Sequence, residues 1–83
     1  MVFDYQTRGT CSRSIHIELD GEIIRAVSFY GGCNGNLKGI GNLVVGMTRT
    51  EAISRLKGIT CGFKQTSCPD QLARALEQSY IRE

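Results

Sequence analysis

Four cysteines, Cys11, Cys33, Cys61 and Cys68, are the residues of this chain best suited to chemistry. A thiolate can ligate a metal or attack a disulfide. Structural zinc sites often pair their ligands as Cys-x₂₋₄-Cys, whereas here the closest two, Cys61 and Cys68, are separated by six residues. Position says more than spacing. Cys11 opens a strand, Cys33 and Cys68 precede helices, and Cys61 lies in a connector. Ends of elements converge in space more easily than their middles do. Four thiolates about 2.3 Å from one zinc would make a closed structural site. The four cysteines are therefore read as a zinc site. An alternative keeps Cys33 and Cys68 as redox thiols, because both stand where a helix start favours thiolate over thiol.

Other constellations are thinner. Gly32, Asn34, Gly35 and Lys38 belong to a glycine-rich turn ahead of a helix, where backbone N–H groups could cradle a nucleotide phosphate. The turn is not a P-loop, since Gly-x₄-Gly-Lys-Ser/Thr is absent. His16, the single histidine, falls with Ser14 and Glu18 on the polar face of a strand and reads as solvent-facing. No serine has a His and Asp ordered around it, and no paired carboxylates are evident, so no catalytic residue is assigned.

The elements that must position the cysteines follow from periodicity. Residues 2–7 alternate, with Phe3 and Tyr5 on one face. Residues 12–19 alternate more cleanly, with Ile15, Ile17 and Leu19 facing one way. Asp20-Gly21 predicts a tight hairpin with a type I′ turn. The returning strand, 22–30, is ambiguous: Ile23, Val27 and Phe29 form one apolar face, Ile24, Ala26 and Tyr30 nearly another, and Arg25 breaks the pattern. A helix then starts near Asn34, with Leu37, Ile40, Leu43 and Val44 on one stripe. Gly35, Gly39 and Gly41 lie inside it, each costing about 0.8–1 kcal/mol relative to Ala, which predicts close approach by a backbone or ligand. Thr48-Arg49-Thr50-Glu51 is a capping box opening a short helix to Lys57, with Ile53 and Leu56 buried and Gly58 as its stop. Residues 59–65 form a connector or short strand. The last helix runs from Pro69 to about Ile81, with Asp70 in its first turn and Leu72, Ala73, Ala75, Leu76 and Tyr80 at helical spacing. The result is an α+β fold: a small three-stranded antiparallel meander followed by three helices packed on one face.

Eighty-three residues make a single domain with a limited core, for which a metal or a second subunit would be useful support; a homodimer is one expectation. A net charge of +2, with its cations scattered, gives no case for specific nucleic-acid binding. No apolar run approaches the roughly 18 residues of a membrane helix, and no basic segment followed by an apolar run opens the chain. Those two observations place it in the cytoplasm, where cysteines are reduced, metal-bound or redox-active rather than locked in structural disulfides.

At Gly32-Cys33-Asn34-Gly35-Asn36-Leu37-Lys38-Gly39-Ile40 and Thr66-Ser67-Cys68-Pro69-Asp70-Gln71-Leu72-Ala73 the chain resembles the TSCPD-domain family, and closely its short, free-standing bacterial members. The resemblance spans nearly the whole of residues 1–83, including Cys11 and Gly58-Ile59-Thr60-Cys61-Gly62. Related domains stand at the C-terminus of some ribonucleoside-diphosphate reductases, notably cobalamin-dependent ones. The resemblance implies a link to deoxyribonucleotide synthesis, a ribonucleotide reductase or another protein as partner, and a metal or thiol role for Cys11, Cys33, Cys61 and Cys68. The chain lacks the large barrel that carries ribonucleotide reduction in those enzymes. The reading is thus a small cysteine-containing binding or accessory module, with a redox protein or a nucleotide-binding regulatory domain as alternatives.

Overall fold

Strands β1 (Val2–Gln6), β2 (Ser12–Asp20) and β3 (Ile23–Gly31) form one antiparallel sheet in the order β1-β2-β3. Helices α1 (Asn34–Val44), α2 (Arg49–Leu56) and α3 (Cys68–Arg82) follow in sequence. The computed structural model describes residues 1–32 and 34–82, the Asn34 side chain excepted. Meander and helices follow the order the periodicity predicts.

Alternation decides the sheet's two faces. Phe3, Ile15, Ile17 and Leu19 are buried and join Val44 of α1, Ala52 of α2 and Leu72, Ala75 and Leu76 of α3 in one core. Asp4, His16 and Glu18 occupy the other face, as period-2 geometry requires. The ambiguous strand β3 is resolved by a bulge. Between the pairs Glu18↔Ala26 and Leu19↔Ile24 the ladder gains one residue, Arg25. An extra residue flips the alternation. Ile24 therefore faces the core on one side of the bulge, and Val27 and Phe29 do so on the other. Each of the two candidate faces is correct for part of the strand, while Ile23 and Tyr30 are exposed. The hairpin loop is Gly21-Glu22, between the paired Asp20 and Ile23. Gly21 has φ +58°, and no non-glycine among the described residues has positive φ. That sign pattern is type II′, with Gly first, rather than the I′ turn expected from Asp-Gly.

Helix α1 lies across β3. A Cβ placed on Gly41 would stand 2.6 Å from the Val27 carbonyl oxygen, so here glycine permits backbone-to-backbone contact. Gly35 and Gly39 face open space, and packing gives no account of them. Seating the helix on Gly41 turns its buried edge toward Leu37 and Val44, with Ile40 half-buried. Leu43, expected on that stripe, is 73% exposed.

Helix α2 is capped by Thr48, whose hydroxyl accepts from the Glu51 N–H at 3.1 Å, while the Glu51 carboxylate lies 3.5 Å from Arg55. Ala52 and Arg49 are its buried residues; Ile53 and Leu56 are only half-buried. Buried Arg49 donates to Ser79 Oγ at 2.9 Å and to the Glu22 carboxylate, and stacks on the Tyr80 ring at 4.0 Å. Tyr80 donates to Glu22 at 2.9 Å. This network ties the β2–β3 turn to both later helices, and it keeps Tyr80 at the surface rather than in the core. Residues 58–67 form turns, not a strand. No helix among the described residues is long and apolar enough to cross a membrane.

Candidate functional site

Ser67, Cys68 and Pro69 of the Thr66–Asp70 stretch line one wall of a cavity of about 320 Å³. Ser67 is the cap of α3: its Oγ accepts from the Asp70 N–H at 3.2 Å and donates to the Ile59 carbonyl at 2.6 Å. Cys68 is the first helical residue and Pro69 the second, so the helix begins one residue before the predicted start. Asp70, 1% exposed, accepts from the Gly58 N–H at 2.7 Å, from Arg74 Nε at 2.8 Å and from the Thr66 hydroxyl. Burial works against its charge, but the bonds from Thr66, Gly58 and Arg74 outweigh it and hold the carboxyl below its usual range. One carboxylate thereby fixes the end of α2, the connector and α3 together.

The facing wall is the turn leading into β2. Thr7 Oγ1 donates to the Ser12 carbonyl at 2.6 Å, and Thr10 Oγ1 lies 3.1 Å from Ser12 Oγ. Gln71, buried on α3, clamps this turn from below: its Oε1 accepts from the Arg8 N–H at 3.1 Å and its Nε2 donates to Thr66 Oγ1 at 3.0 Å. The turn brings Cys11 Sγ to 3.9 Å and Ser12 Oγ to 3.2 Å from Cys68 Sγ. Burial pushes the Cys68 thiol up, yet the bonds from the Ser12 hydroxyl and amide, from Thr10 and from Cys11 carry it below its ordinary value. These groups, in residues 10–12 of the turn opposite, act on a sulfur that also stands at the start of α3.

Cys61 is exposed and borders the same cavity, alongside Leu37 and Ile40 of α1 and Ile59, Lys64 and Pro69. Cys33 lies outside the described residues, which leaves the Cys33–Cys68 pairing undescribed. Its chain neighbour Gly32 has a Cβ position 3.2 Å from Cys11 Sγ, so the end of β3 abuts the site. Among the described residues, no three of His, Cys, Asp and Glu gather closely enough to hold a metal. The structure thus brings Cys11 and Cys68 into contact and places Cys61 on the rim.

The glycine-rich turn is divided differently. Gly32 packs toward Leu37, Cys11 and Ser12, whereas Lys38 borders a separate groove with Val27, Ser28, Phe29 and Asn42. Gly35 faces open space. His16 sits on the outer sheet face, bonded at Nδ1 to Asp4 (2.8 Å) and at Nε2 to Glu18 (3.0 Å); those bonds, Glu18's first and then Asp4's, raise its pKa. Ser12 and Gln71 were not singled out by the sequence. Ser12 carries a faint signal, as the neighbour of Cys11; Gln71 stands in the sequence only as part of the Thr66–Ala73 motif.

Comparison with known proteins adds the family. The family model described as the TSCPD domain matches residues 3–80, and the chain belongs to that family. No curated protein and no solved structure matches the chain.

Proposed function

We propose that this TSCPD-domain chain is a small binding or accessory module whose fold is completed by a thiolate-bound zinc ion. In this reading Cys11, in the turn before β2, and Cys68, the first residue of α3, are two of the ligands, and Cys61 and Cys33 complete the donor set. The carrying observation is the 3.9 Å between the Cys11 and Cys68 sulfurs. Two thiolates on a tetrahedral zinc, each bonded at about 2.3 Å, stand about 3.8 Å apart, so the pair already spans one edge of the tetrahedron. The lowered Cys68 pKa favours the thiolate, the form that binds a metal. A metal here would join the first strands to the last helix, a large gain for a short chain. The TSCPD resemblance points to a ribonucleotide reductase as partner and to deoxyribonucleotide synthesis as setting.

Elemental analysis of protein purified without chelator tests the reading, with melting recorded before and after EDTA. The expected result is about one zinc per chain and a lower melting temperature after EDTA, because a structural metal's binding energy is folding energy. Trace metal together with an unchanged melt refutes it.

A further inference from the structure

Cys11 and Cys68 meet at 3.9 Å, but they do not meet the solvent equally. Cys11 is exposed, while Cys68 is only 7% exposed and has the Ser12 hydroxyl 3.2 Å from its sulfur. A closed structural site has no need of that asymmetry. A two-step thiol exchange does, because one sulfur must receive the reactant and the other must wait behind it. We propose that the metal-free dithiol is a disulfide-exchange site, with Cys11 as the entry sulfur, Cys68 as the resolving sulfur and an organic disulfide as the reactant. This activity does not rest on the zinc reading, and its pair, Cys11 and Cys68, differs from the redox pair Cys33 and Cys68 read from the sequence.

The steps balance as follows. Cys11 loses its proton to solvent and its thiolate attacks one sulfur of the external disulfide. A mixed disulfide forms on Cys11, and the other half leaves as a thiolate. The Cys68 thiolate then attacks Cys11 Sγ, the Cys11–Cys68 bond forms, and the second half leaves. The protein gives up two electrons and two protons; the external disulfide takes them up as two thiols. Forming the intramolecular bond requires the sulfurs to close from 3.9 Å to about 2.05 Å. In the reverse direction an incoming thiol meets Cys11 first, and the departing Cys68 sulfur keeps the Ser12 hydroxyl as hydrogen-bond donor. The reactant's substituent has a place to lie: the adjoining cavity of about 320 Å³, bordered by Leu37, Ile40, Ile59 and Pro69. That lining selects a disulfide carrying an apolar or aromatic group.

The test uses chelator-treated full-length chain in a Cys33→Ser, Cys61→Ser background and the aromatic disulfide 5,5′-dithiobis(2-nitrobenzoate), whose released thiolate is coloured. The expected result is two coloured equivalents per chain, the second released at a rate independent of reagent concentration, and a Cys11–Cys68 disulfide by peptide mapping. Adding Cys68→Ser should arrest the reaction at a mixed disulfide on Cys11. Adding Cys11→Ser should slow uptake at Cys68 by roughly tenfold or more, since its sulfur is covered. A persistent mixed disulfide on Cys11 with Cys68 free, or equal reactivity of the two thiols, overturns the proposal. Peptide mapping of the oxidised wild-type chain serves if the background variant misfolds; a disulfide joining Cys61 in preference to Cys68 then overturns it. Metal content is read separately, so either reading can fail alone.

Discussion

Replacing Gly41 and Gly39 by alanine, one at a time, should move stability in opposite directions although both glycines lie in α1. Alanine removes backbone freedom from the unfolded chain and favours the helix by about 0.8–1 kcal/mol at either position. At Gly39 nothing stands within 4 Å of the added carbon, so the whole gain is kept. At Gly41 the new methyl would lie 2.6 Å from the Val27 carbonyl oxygen and 3.6 Å from its carbonyl carbon. Both belong to the β3 backbone, which cannot turn aside as a side chain can. Overpacking costs about 1–3 kcal/mol, and a backbone clash takes the upper end. The net loss at Gly41 is then about 2 kcal/mol. A domain of this size has about 4–12 kcal/mol of stability in total, so both variants should fold. With 4–8 °C per kcal/mol, the melting temperature should fall by roughly 8–16 °C for Gly41→Ala and rise by roughly 3–8 °C for Gly39→Ala. Urea titration followed by far-UV circular dichroism gives the free energies directly. Gly41→Ala as stable as the parent would refute the seating of α1 on Val27, and with it the position of Leu37 and Ile40 beside the cysteines.

Two further predictions concern the site. Ser12→Ala removes the hydroxyl bonded to Cys68, so the Cys68 thiol should titrate higher and react several-fold more slowly with a small alkylating reagent at neutral pH; Cys61, which lacks that bond, serves as the internal control, and an unmoved rate–pH midpoint for Cys68 counts against the assignment. Asp70→Asn should destabilise the fold by about 2–4 kcal/mol, since it breaks a buried charge-assisted network. The sign with pH follows from the lowered folded pKa. The carboxylate's contribution is fully present above its unfolded value, near 3.8, and is lost as pH falls through the lower folded value, so denaturant melts of the variant should show a flatter acid limb than the parent.

Much of the fold was legible because it is written in local patterns. Ile15, Ile17 and Leu19 alternate without interruption, Thr48 and Glu51 sit at capping spacing, and Leu72, Ala75 and Leu76 mark a buried helix face. The β3 face was not legible, because the bulge at Arg25 makes both alternations correct in turn, and a bulge has no signature of its own in residue type. Leu43 was misplaced for a related reason. Which side of α1 faces the sheet is decided by Gly41 meeting the Val27 carbonyl, a contact made by the absence of a side chain. The site was legible as a set of cysteines at element edges, and Cys61 does border the cavity that Cys11 and Cys68 share. That Cys11 and Ser12 are the groups that reach Cys68 depends on a pairing across 56 and 57 residues, which neither spacing nor propensity records.

That separation also has a consequence in time. Cys11 leaves the ribosome 57 residues ahead of Cys68. At about 5–20 residues per second the first sulfur waits some 3–11 s for the second to be synthesised. Until α3 exists and docks, nothing holds the two together. A metal bound or a bond formed between them would therefore mark a chain that has been made past Cys68 and folded there, with α3 docked against the turn that carries Cys11.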